Sequence, residues 1–127
     1  MFNVGISLEH AVQASVYHNT VISTGGTFSS IDTRFFNSDP MIVNNLIRPR
    51  MTIRDRARPN NIGNIEIRSL TLFEDPMGNN LHLLGTAIKV INKGIRLNDL
   101  VVSDIDGEMR DDMPDVGADE YVSSPLP

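Results

Sequence analysis

The sequence has no cysteine, no tryptophan and few aromatic residues, which make up 6% of its 127 positions. The lack of cysteine excludes disulfide bonds and thiolate metal sites. Long hydrophobic runs are also missing, and because a membrane-spanning helix needs roughly eighteen or more apolar residues, we expect no membrane span. The opening residues, MFNVGISLEH, lack a basic region and a continuous apolar region, so we expect no signal peptide in this chain.

Positive charge is scarce, and the two charge signs are unevenly distributed. The chain has 11 Lys and Arg residues against 16 Asp and Glu residues, a formal net charge of −5. Nine of the acids follow position 98, where Arg110 is the only base, so residues 99–127 carry −8 and residues 1–98 carry +3. A nucleic-acid-binding protein needs a basic surface that displaces counterions from phosphate groups. We therefore expect no nucleic-acid partner.

The apolar residues fall in short segments that alternate with turn-forming segments. Many of the apolar segments are rich in β-branched residues, which favour strands. The turn-forming segments are TGG at 24–26, NSDP at 37–40, RPNN at 58–61 and DPMGNN at 75–80. Residues 8–16 also fit helical spacing, but we predict a strand there. Since 127 residues is a typical length for one domain, the sequence predicts a single all-β domain.

A weak internal repeat favours a solenoid. The segment VYHNTVI at 16–22 aligns with MIVNNLI at 41–47, which places Asn19 over Asn44 at a spacing of 25 residues. A spacing of this size is typical of repeat architectures. An asparagine at the same place in successive coils can adopt a left-handed turn, and its amide can bind the asparagine of the next coil. We therefore predict a ladder of asparagines between coils.

The C-terminal third carries a more specific pattern. Residues 72–94, LFEDPMGNNLHLLGTAIKVINKG, precede SDIDGEMRDDMPDVGADEY at 103–121. The pattern resembles the end of bacterial right-handed parallel β-helix repeat proteins of the pectin-lyase-like kind, which close on D-x-D-G-x-x-R followed by P-D-[IV]-G-A-x-E. The family's SPAID turn is altered here, with Lys89 in place of the aspartate. The matching residues are Phe73, Asp75, Pro76, His82, Leu83, Ala87, Ile88, Gly94, Asp104, Asp106, Gly107, Arg110, Pro114, Asp115, Gly117, Ala118 and Glu120.

The resemblance implies a short right-handed parallel β-helix of about two to three coils, a size that solenoid repeats allow. Residues 1–72 would form the coils, residues 73–121 would close the same domain, and residues 122–127 would be a disordered tail. Proteins of this family are usually exported and often associated with polysaccharides, so the resemblance implies an extracellular or cell-surface location. Their catalytic surface lies on coils N-terminal to this closing pattern.

The closing pattern is predicted to act as a structural cap. A solenoid needs one, because its last coil otherwise exposes apolar faces and unpaired backbone groups. We expect an ion pair of Arg110 with Asp104 and Asp106 to fix a loop, while Pro114 and Gly117 bend the chain across the open end of the core. The predicted cap residues are Asp104, Asp106, Gly107, Arg110, Asp115, Gly117 and Glu120.

Calcium is an alternative use of the same acidic loop, since hard cations prefer several carboxylate ligands. The EF-hand spacing fails, however, because placing Gly107 at loop position six puts Val102 and Met113 at two positions that require oxygen ligands. A noncanonical site could use Asp104, Asp106 and Asp111. We expect no cofactor, and we keep this calcium site as the alternative.

Five arginines form the candidate ligand-binding group. They fall on alternate positions, so one extended strand would place them on one face, with Met51 and Ile53 on the other. Guanidinium groups bind carboxylates through two hydrogen bonds, which suggests an anionic, uronate-bearing polysaccharide as the ligand. A solvated outer face is the alternative explanation. The five are Arg48, Arg50, Arg54, Arg56 and Arg58.

No known catalytic motif appears in the sequence, which lacks GxSxG, HExxH, a P-loop and a dinucleotide-binding fingerprint. The side chains that could act as acid, base or cation are not linked by any readable pattern. They are His10, His18, His82, Lys89 and Lys93. We therefore favour a non-catalytic β-helix module that binds a polysaccharide or a protein.

The alternative function is the C-terminal part of a polysaccharide lyase or hydrolase whose active site lies upstream. In either case two coils bury little core, and their first strands would leave backbone groups unpaired. We therefore predict a homo-oligomer joined through its N-terminal coils.

Overall fold

The structure is a computed structural model, and it describes residues 3–97 and 99–123. Strands dominate this part of the chain, and no α-helix occurs in it, so the all-β prediction is confirmed. The only helical element within the described residues is a 3₁₀ turn at Pro76–Gly78. The strands are β1 (Val4–Glu9), β2 (Ser15–Tyr17), β3 (Thr20–Ile22), β4 (Ser29–Arg34), β5 (Met41–Val43), β6 (Leu46–Arg48), β7 (Thr52–Arg54), β8 (Asn60–Ile62), β9 (Ile65–Glu66), β10 (Phe73–Asp75) and β11 (Asn80–Leu83).

The first nine strands build three parallel sheets of three strands each. Sheet A contains β1-β4-β7, sheet B contains β2-β5-β8 and sheet C contains β3-β6-β9. The chain therefore visits the three sheets in the same order three times, and each passage adds one strand to every sheet. β10 and β11 form a separate antiparallel pair. The segment at 8–16, where a helix was the alternative, is instead the end of β1, a turn and the start of β2.

The predicted asparagine ladder exists and includes Asn19 as predicted, but the partner of Asn19 is Asn45 and not Asn44. Asn19 pairs with Asn45, and Asn45 pairs with Asn64: each backbone N–H and side-chain amide donates to the next Oδ1 at 2.8–3.0 Å. The repeats are thus 26 and 19 residues long, because Thr20 faces Leu46 and Leu46 faces Ile65. The predicted spacing of 25 residues is one residue short for this alignment, although β1 and β4 of sheet A do pair at a spacing of 25 residues.

The residue directly before each ladder asparagine explains why the partner of Asn19 is Asn45 and not Asn44. His18, Asn44 and Gly63 all have positive φ angles, of 55°, 61° and 69°. The turn thus needs a left-handed residue and then a ladder asparagine, and both positions of the second coil are asparagine. Asn44 supplies the left-handed turn, a conformation that asparagine tolerates well.

A first hydrophobic core lies between the three sheets. Its buried members are Ile31 of sheet A, Val16 and Ile42 of sheet B, and Ile47 of sheet C. The half-buried Ile6, Leu8, Val21 and Met51 pack against them. Each of the three sheets turns one face to this core, as the side-chain alternation of strands requires.

A second core lies on the outer face of sheet C. Because neighbouring residues of a strand point to opposite faces, Leu46 points away from the first core while Ile47 points into it. Leu46 packs with Phe73, Leu83 and Val116 of the C-terminal segment. That segment therefore lies along the side of the sheets, and the prediction that it crosses the open end of the core was wrong.

β8 and β9, the last strands of sheets B and C, place polar residues beside the core residues of the preceding strands. Asn61 faces the core residue Ile42 of the neighbouring strand, and Glu66 faces Ile47 in the same way. Both side chains are exposed, as are all three residues of β8. The core-facing positions of β8 and β9 are thus polar, whereas those of β5 and β6 are apolar.

Two sequence predictions concern features at the limits of the chain. Of the predicted tail at 122–127, residues 124–127 lie outside the described residues, and residues 122 and 123 are exposed. Among the described residues, no helix is long and apolar enough to cross a membrane.

Candidate ligand-binding surface

The five predicted arginines do not share one strand. Arg48 ends β6 in sheet C, whereas Arg54 ends β7 in sheet A. Arg56 follows in a turn and has a positive φ angle of 60°. The prediction of one continuous face was wrong because β7 spans only Thr52–Arg54, so the extended geometry is lost on both sides.

Two of these arginines meet at an aromatic ring. The guanidinium carbons of Arg50 and Arg54 each lie 5.5 Å from the centre of the Phe28 ring. Phe28 immediately precedes β4, while Arg50 lies two residues before β7 and Arg54 ends β7, the next strand of the same sheet. At this distance a cation is attracted by the face of the ring, which helps to hold the side chains in place.

A second aromatic contact lies at the other end of sheet A. Arg34 ends β4, and its guanidinium carbon lies 4.6 Å from the centre of the Phe35 ring. Phe35 stacks on His10, with ring centres 4.3 Å apart and planes 2° from parallel. His10 and Phe35 each follow a strand of sheet A and have positive φ angles of 53° and 72°, so equivalent turns bring the two rings together.

Asp32 fixes Arg54 in this surface. It lies in the middle of β4 and is fully buried, and Arg54 donates to it from Nη2 at 2.7 Å and from Nε at 3.0 Å. Burial alone would raise the pKa of Asp32, but hydrogen bonds from Arg54 and Thr52 and the charges of Arg54 and Arg34 together hold it below its usual value. Asp32 therefore stays ionised and orients the guanidinium.

The arginines of sheet A differ in their ion pairs. Arg34 pairs with Asp55 at 2.6 Å and more loosely with Glu9 at 3.9 Å. Within residues 3–97 and 99–123, Arg50 and Arg56 form no ion pair. These two cations can therefore meet an external anion without first losing a carboxylate partner.

The other two predicted arginines, Arg48 and Arg58, donate hydrogen bonds to backbone carbonyl oxygens. Arg48 donates to the carbonyl oxygens of Arg68 at 3.1 Å and Ser23 at 2.5 Å. Arg58 donates from Nε to the carbonyl oxygen of Phe36 at 3.1 Å. We call the residues of the two arginine–aromatic contacts of sheet A, taken together, the basic aromatic surface. It consists of Phe28, Arg34, Phe35, Arg50 and Arg54.

The predicted cap residues do form a hydrogen-bonded network, but with other partners than expected. Arg110 pairs with Glu120 at 3.1 Å, and these side chains are only 4% and 5% exposed. Arg110 also donates to the carbonyl oxygen of Gly117 at 3.0 Å. The predicted ion pair with Asp104 and Asp106 was wrong, because Glu120 brings its carboxylate to the guanidinium from ten residues further along the chain.

The aspartates of this network mostly bind backbone groups. Asp104 accepts the N–H groups of residues 106, 108 and 120, at 2.8–2.9 Å. Asp115 accepts those of Asn92 at 2.8 Å and Tyr121 at 2.6 Å, and its burial raises its pKa. Gly107 turns the loop with a φ angle of +85°, as predicted.

Gly117 joins this network to sheet C. Its φ angle is +98°, and a side chain there would lie 2.7 Å from Oγ1 of Thr20 and 3.0 Å from Cβ of Leu46. Its N–H donates to the carbonyl oxygen of Asn44 at 2.8 Å. A glycine is therefore required both by the backbone conformation and by the close approach to sheet C.

Part of the predicted calcium set does cluster. Ligand atoms of Asp104, Asp106, Glu108 and Asp119 lie within 4.8 Å of one another, and His82 forms a similar group with Asp106 and Asp119. His82 and Asp106 are 2.6 Å apart, and this hydrogen bond raises the pKa of His82. These groups could offer oxygen and nitrogen ligands to a cation.

The third member of the calcium prediction, Asp111, is not part of either group. Its Oδ1 accepts the N–H of Met113 at 2.9 Å, which closes a local turn. The structure therefore brings together two of the three residues predicted as calcium ligands, Asp104 and Asp106, and adds Glu108, Asp119 and His82.

The possible catalytic residues are spread over the molecule. His10 belongs to sheet A, and His82 binds Asp106. His18 is buried beside Asn44 and Gly117, and burial and then the Arg110 charge lower its pKa to about 4.

Lys89 lines an open cavity of about 660 Å³ between β9 and residues 86–90, together with Glu66 and Arg68. Neither His82 nor His18 lines this cavity, and Lys93 is not among its residues. His82 and His18 line two other cavities, so Lys89, His82 and His18 each line a different one.

Sequence reasoning missed Phe28, Arg34 and Asp32, which are central to the basic aromatic surface. They could have been found only from the pairing of β4 with β7, which brings residues 20 positions apart side by side. Searches against protein-family models, curated proteins and solved structures find no significant match for this chain.

Proposed function

We propose that the three parallel sheets are the faces of a short parallel β-helix with three coils. Two observations support this proposal: each passage of the chain adds a strand to all three sheets, and one asparagine ladder joins the coils. The C-terminal segment then packs beside the helix, on the outer face of sheet C. The handedness and the pectin-lyase-like relationship rest on the resemblance of the closing pattern alone.

We further propose that the protein is a non-catalytic module that binds an anionic, uronate-bearing polysaccharide. The observation that carries the proposal is the pair of guanidinium groups over Phe28, beside the buried Asp32. Guanidinium groups match carboxylates in shape and charge, so this surface suits a chain that carries carboxylates. A neutral polysaccharide lacks these groups.

The register of sheet A supports a repeating ligand. Arg34 and Arg54 are directly paired on β4 and β7, whose spacing across a sheet is about 4.8 Å. Arg50 lies just before β7. A chain that carries a carboxylate on successive sugars could therefore meet more than one guanidinium, and the resulting charge-assisted contacts would add to one another.

Binding to polygalacturonate, measured by isothermal titration calorimetry, tests this proposal. We expect Arg50→Gln to weaken binding by about ten- to a hundredfold, since loss of one charged hydrogen bond costs on the order of 1.5–3 kcal/mol. Arg96→Gln is the matched control, because Arg96 is exposed and pairs with Asp112 in the C-terminal segment. The proposal fails if the protein does not bind polygalacturonate, if a neutral glucan binds equally well, or if the two variants behave alike.

A further inference from the structure

The two ends of the sheets differ in polarity. At the first coil, the residues that pack towards the core are apolar in all three sheets: Ile6 and Leu8, Val16, and Val21. At the third coil, the positions that continue the core residues Ile42 and Ile47 hold Asn61 and Glu66. We call the strands β1, β2 and β3 the N-terminal edge.

In sheets B and C, the polar residues of the last strands discourage further strands from joining there, although Ile53 of β7 in sheet A is apolar. An inward-pointing charge at the end of a sheet would have to be buried by the next strand, which costs several kcal/mol without a partner. The N-terminal edge has no such charge among its core-facing residues. Within residues 3–97 and 99–123, its strands are paired on one side only.

We propose that the N-terminal edge joins the same edge of a second copy of this chain around a two-fold axis. A two-fold axis pairs β1 of one copy with β1 of the other in the antiparallel direction, so the two paired strands have the same length. It also keeps Ile6 and Leu8 of both copies on the core side. The two inward apolar surfaces then become continuous.

Charge supports this arrangement over a head-to-tail stack. In an antiparallel pair of six-residue strands, Glu9 of each copy lies at opposite ends, roughly 15 Å or more apart, so the like charges do not meet. A head-to-tail stack would instead bury Glu66 against the apolar edge of the next copy. The two-fold contact is closed, so it gives a dimer and no filament. This inference does not depend on polysaccharide binding.

Light scattering coupled to size exclusion, over a wide range of protein concentration, measures the assembly. We expect twice the chain mass of 14.1 kDa at high concentration. Ser7 is exposed at the middle of β1, so Ser7→Lys places two positive charges close together in the dimer and should give the mass of one chain. Asn61→Lys, on the exposed β8 at the other end, is the matched control and should keep the doubled mass.

Hydrogen exchange of the unaltered protein gives a second measurement that does not require a folded variant. We expect the β1 amides to exchange more slowly as concentration rises, while the β8 amides do not change. The inference is overturned by a single-chain mass at all concentrations, by a mass that grows beyond two chains, by dissociation in Asn61→Lys, or by β1 exchange that ignores concentration.

Discussion

Replacing Asn45 by alanine should destabilise the protein more than any other change in the asparagine ladder. Asn45 is fully buried, and its side chain makes four hydrogen bonds. Its Oδ1 accepts the backbone N–H of Asn19 at 2.8 Å and the side-chain amide of Asn19 at 3.0 Å. Its Nδ2 donates to Oδ1 of Asn64 and to the carbonyl oxygen of Val16, both at 2.9 Å.

The expected loss follows from the groups left without a partner. A buried polar group that loses its hydrogen bond costs about 1–3 kcal/mol, and Asn45→Ala leaves at least the N–H of Asn19 and the carbonyl oxygen of Val16 short of one bond. We therefore expect the free energy of unfolding to fall by about 2–4 kcal/mol. This is a large part of the 5–15 kcal/mol that is typical of a folded domain.

Urea unfolding followed by circular dichroism measures this loss, because the free energy of unfolding extrapolates linearly to zero denaturant. Asn64→Ala should cost less, since Asn64 is half-buried and water can replace part of its bonds. Asn61→Ala is the control: Asn61 is exposed, so the change should stay within about 0.5 kcal/mol. A loss below about 1 kcal/mol for Asn45→Ala, or an equal loss for Asn61→Ala, would refute the assignment of the ladder.

Two further predictions concern charge. Burial and the Arg110 charge lower the pKa of His18 to about 4 in the folded protein. In the unfolded chain His18 has its usual pKa of about 6.5, so between these pH values it is protonated only when the chain is unfolded. The His18 contribution is therefore complete above about pH 6.5 and is lost as the pH falls towards 4. Asparagine tolerates the left-handed turn but does not titrate, so we expect the His18→Asn variant to lose less free energy of unfolding than the unaltered protein as the pH falls from 6.5 to 4. Urea unfolding measures both losses, and identical losses would contradict this prediction. Calcium should leave the melting temperature unchanged, since Asp104 already accepts three backbone N–H groups and Asp106 binds His82. A rise in melting temperature that Asp106→Asn abolishes would show a real site.

Local sequence patterns were sufficient where short-range chemistry decides the structure. The β-branched segments separated by turn residues predicted the short strands, and Gly107 was correctly placed at a turn with positive φ. The repeat also predicted that asparagines would join the coils. It placed them one residue early, because Asn44 and Asn45 are both asparagine and only strand pairing shows which one faces Asn19.

Contacts between distant residues could not be predicted from local patterns. The alternating arginines suggested one strand, but β7 ends after three residues, and Arg54 is held by Asp32 from the neighbouring coil. Arg110 was matched with nearby acids, whereas burial selects Glu120, whose carboxylate also accepts the N–H of Asp115 at 2.9 Å. The separation of two residues in sequence does not indicate which carboxylate is buried next to the Arg110 guanidinium.

The sequence by itself determined that this protein is built of short strands and turns, because β-branched residues, prolines and glycines restrict the backbone residue by residue. It also determined the uneven charge of the two parts of the chain. Only the tertiary structure decided that the acidic C-terminal segment lies beside sheet C, that Asn61 and Glu66 stand at core-facing positions of the last strands of sheets B and C, and that two arginines contact the Phe28 ring. These features depend on the register of strands about 20 residues apart, which arises from pairing and packing of the whole chain.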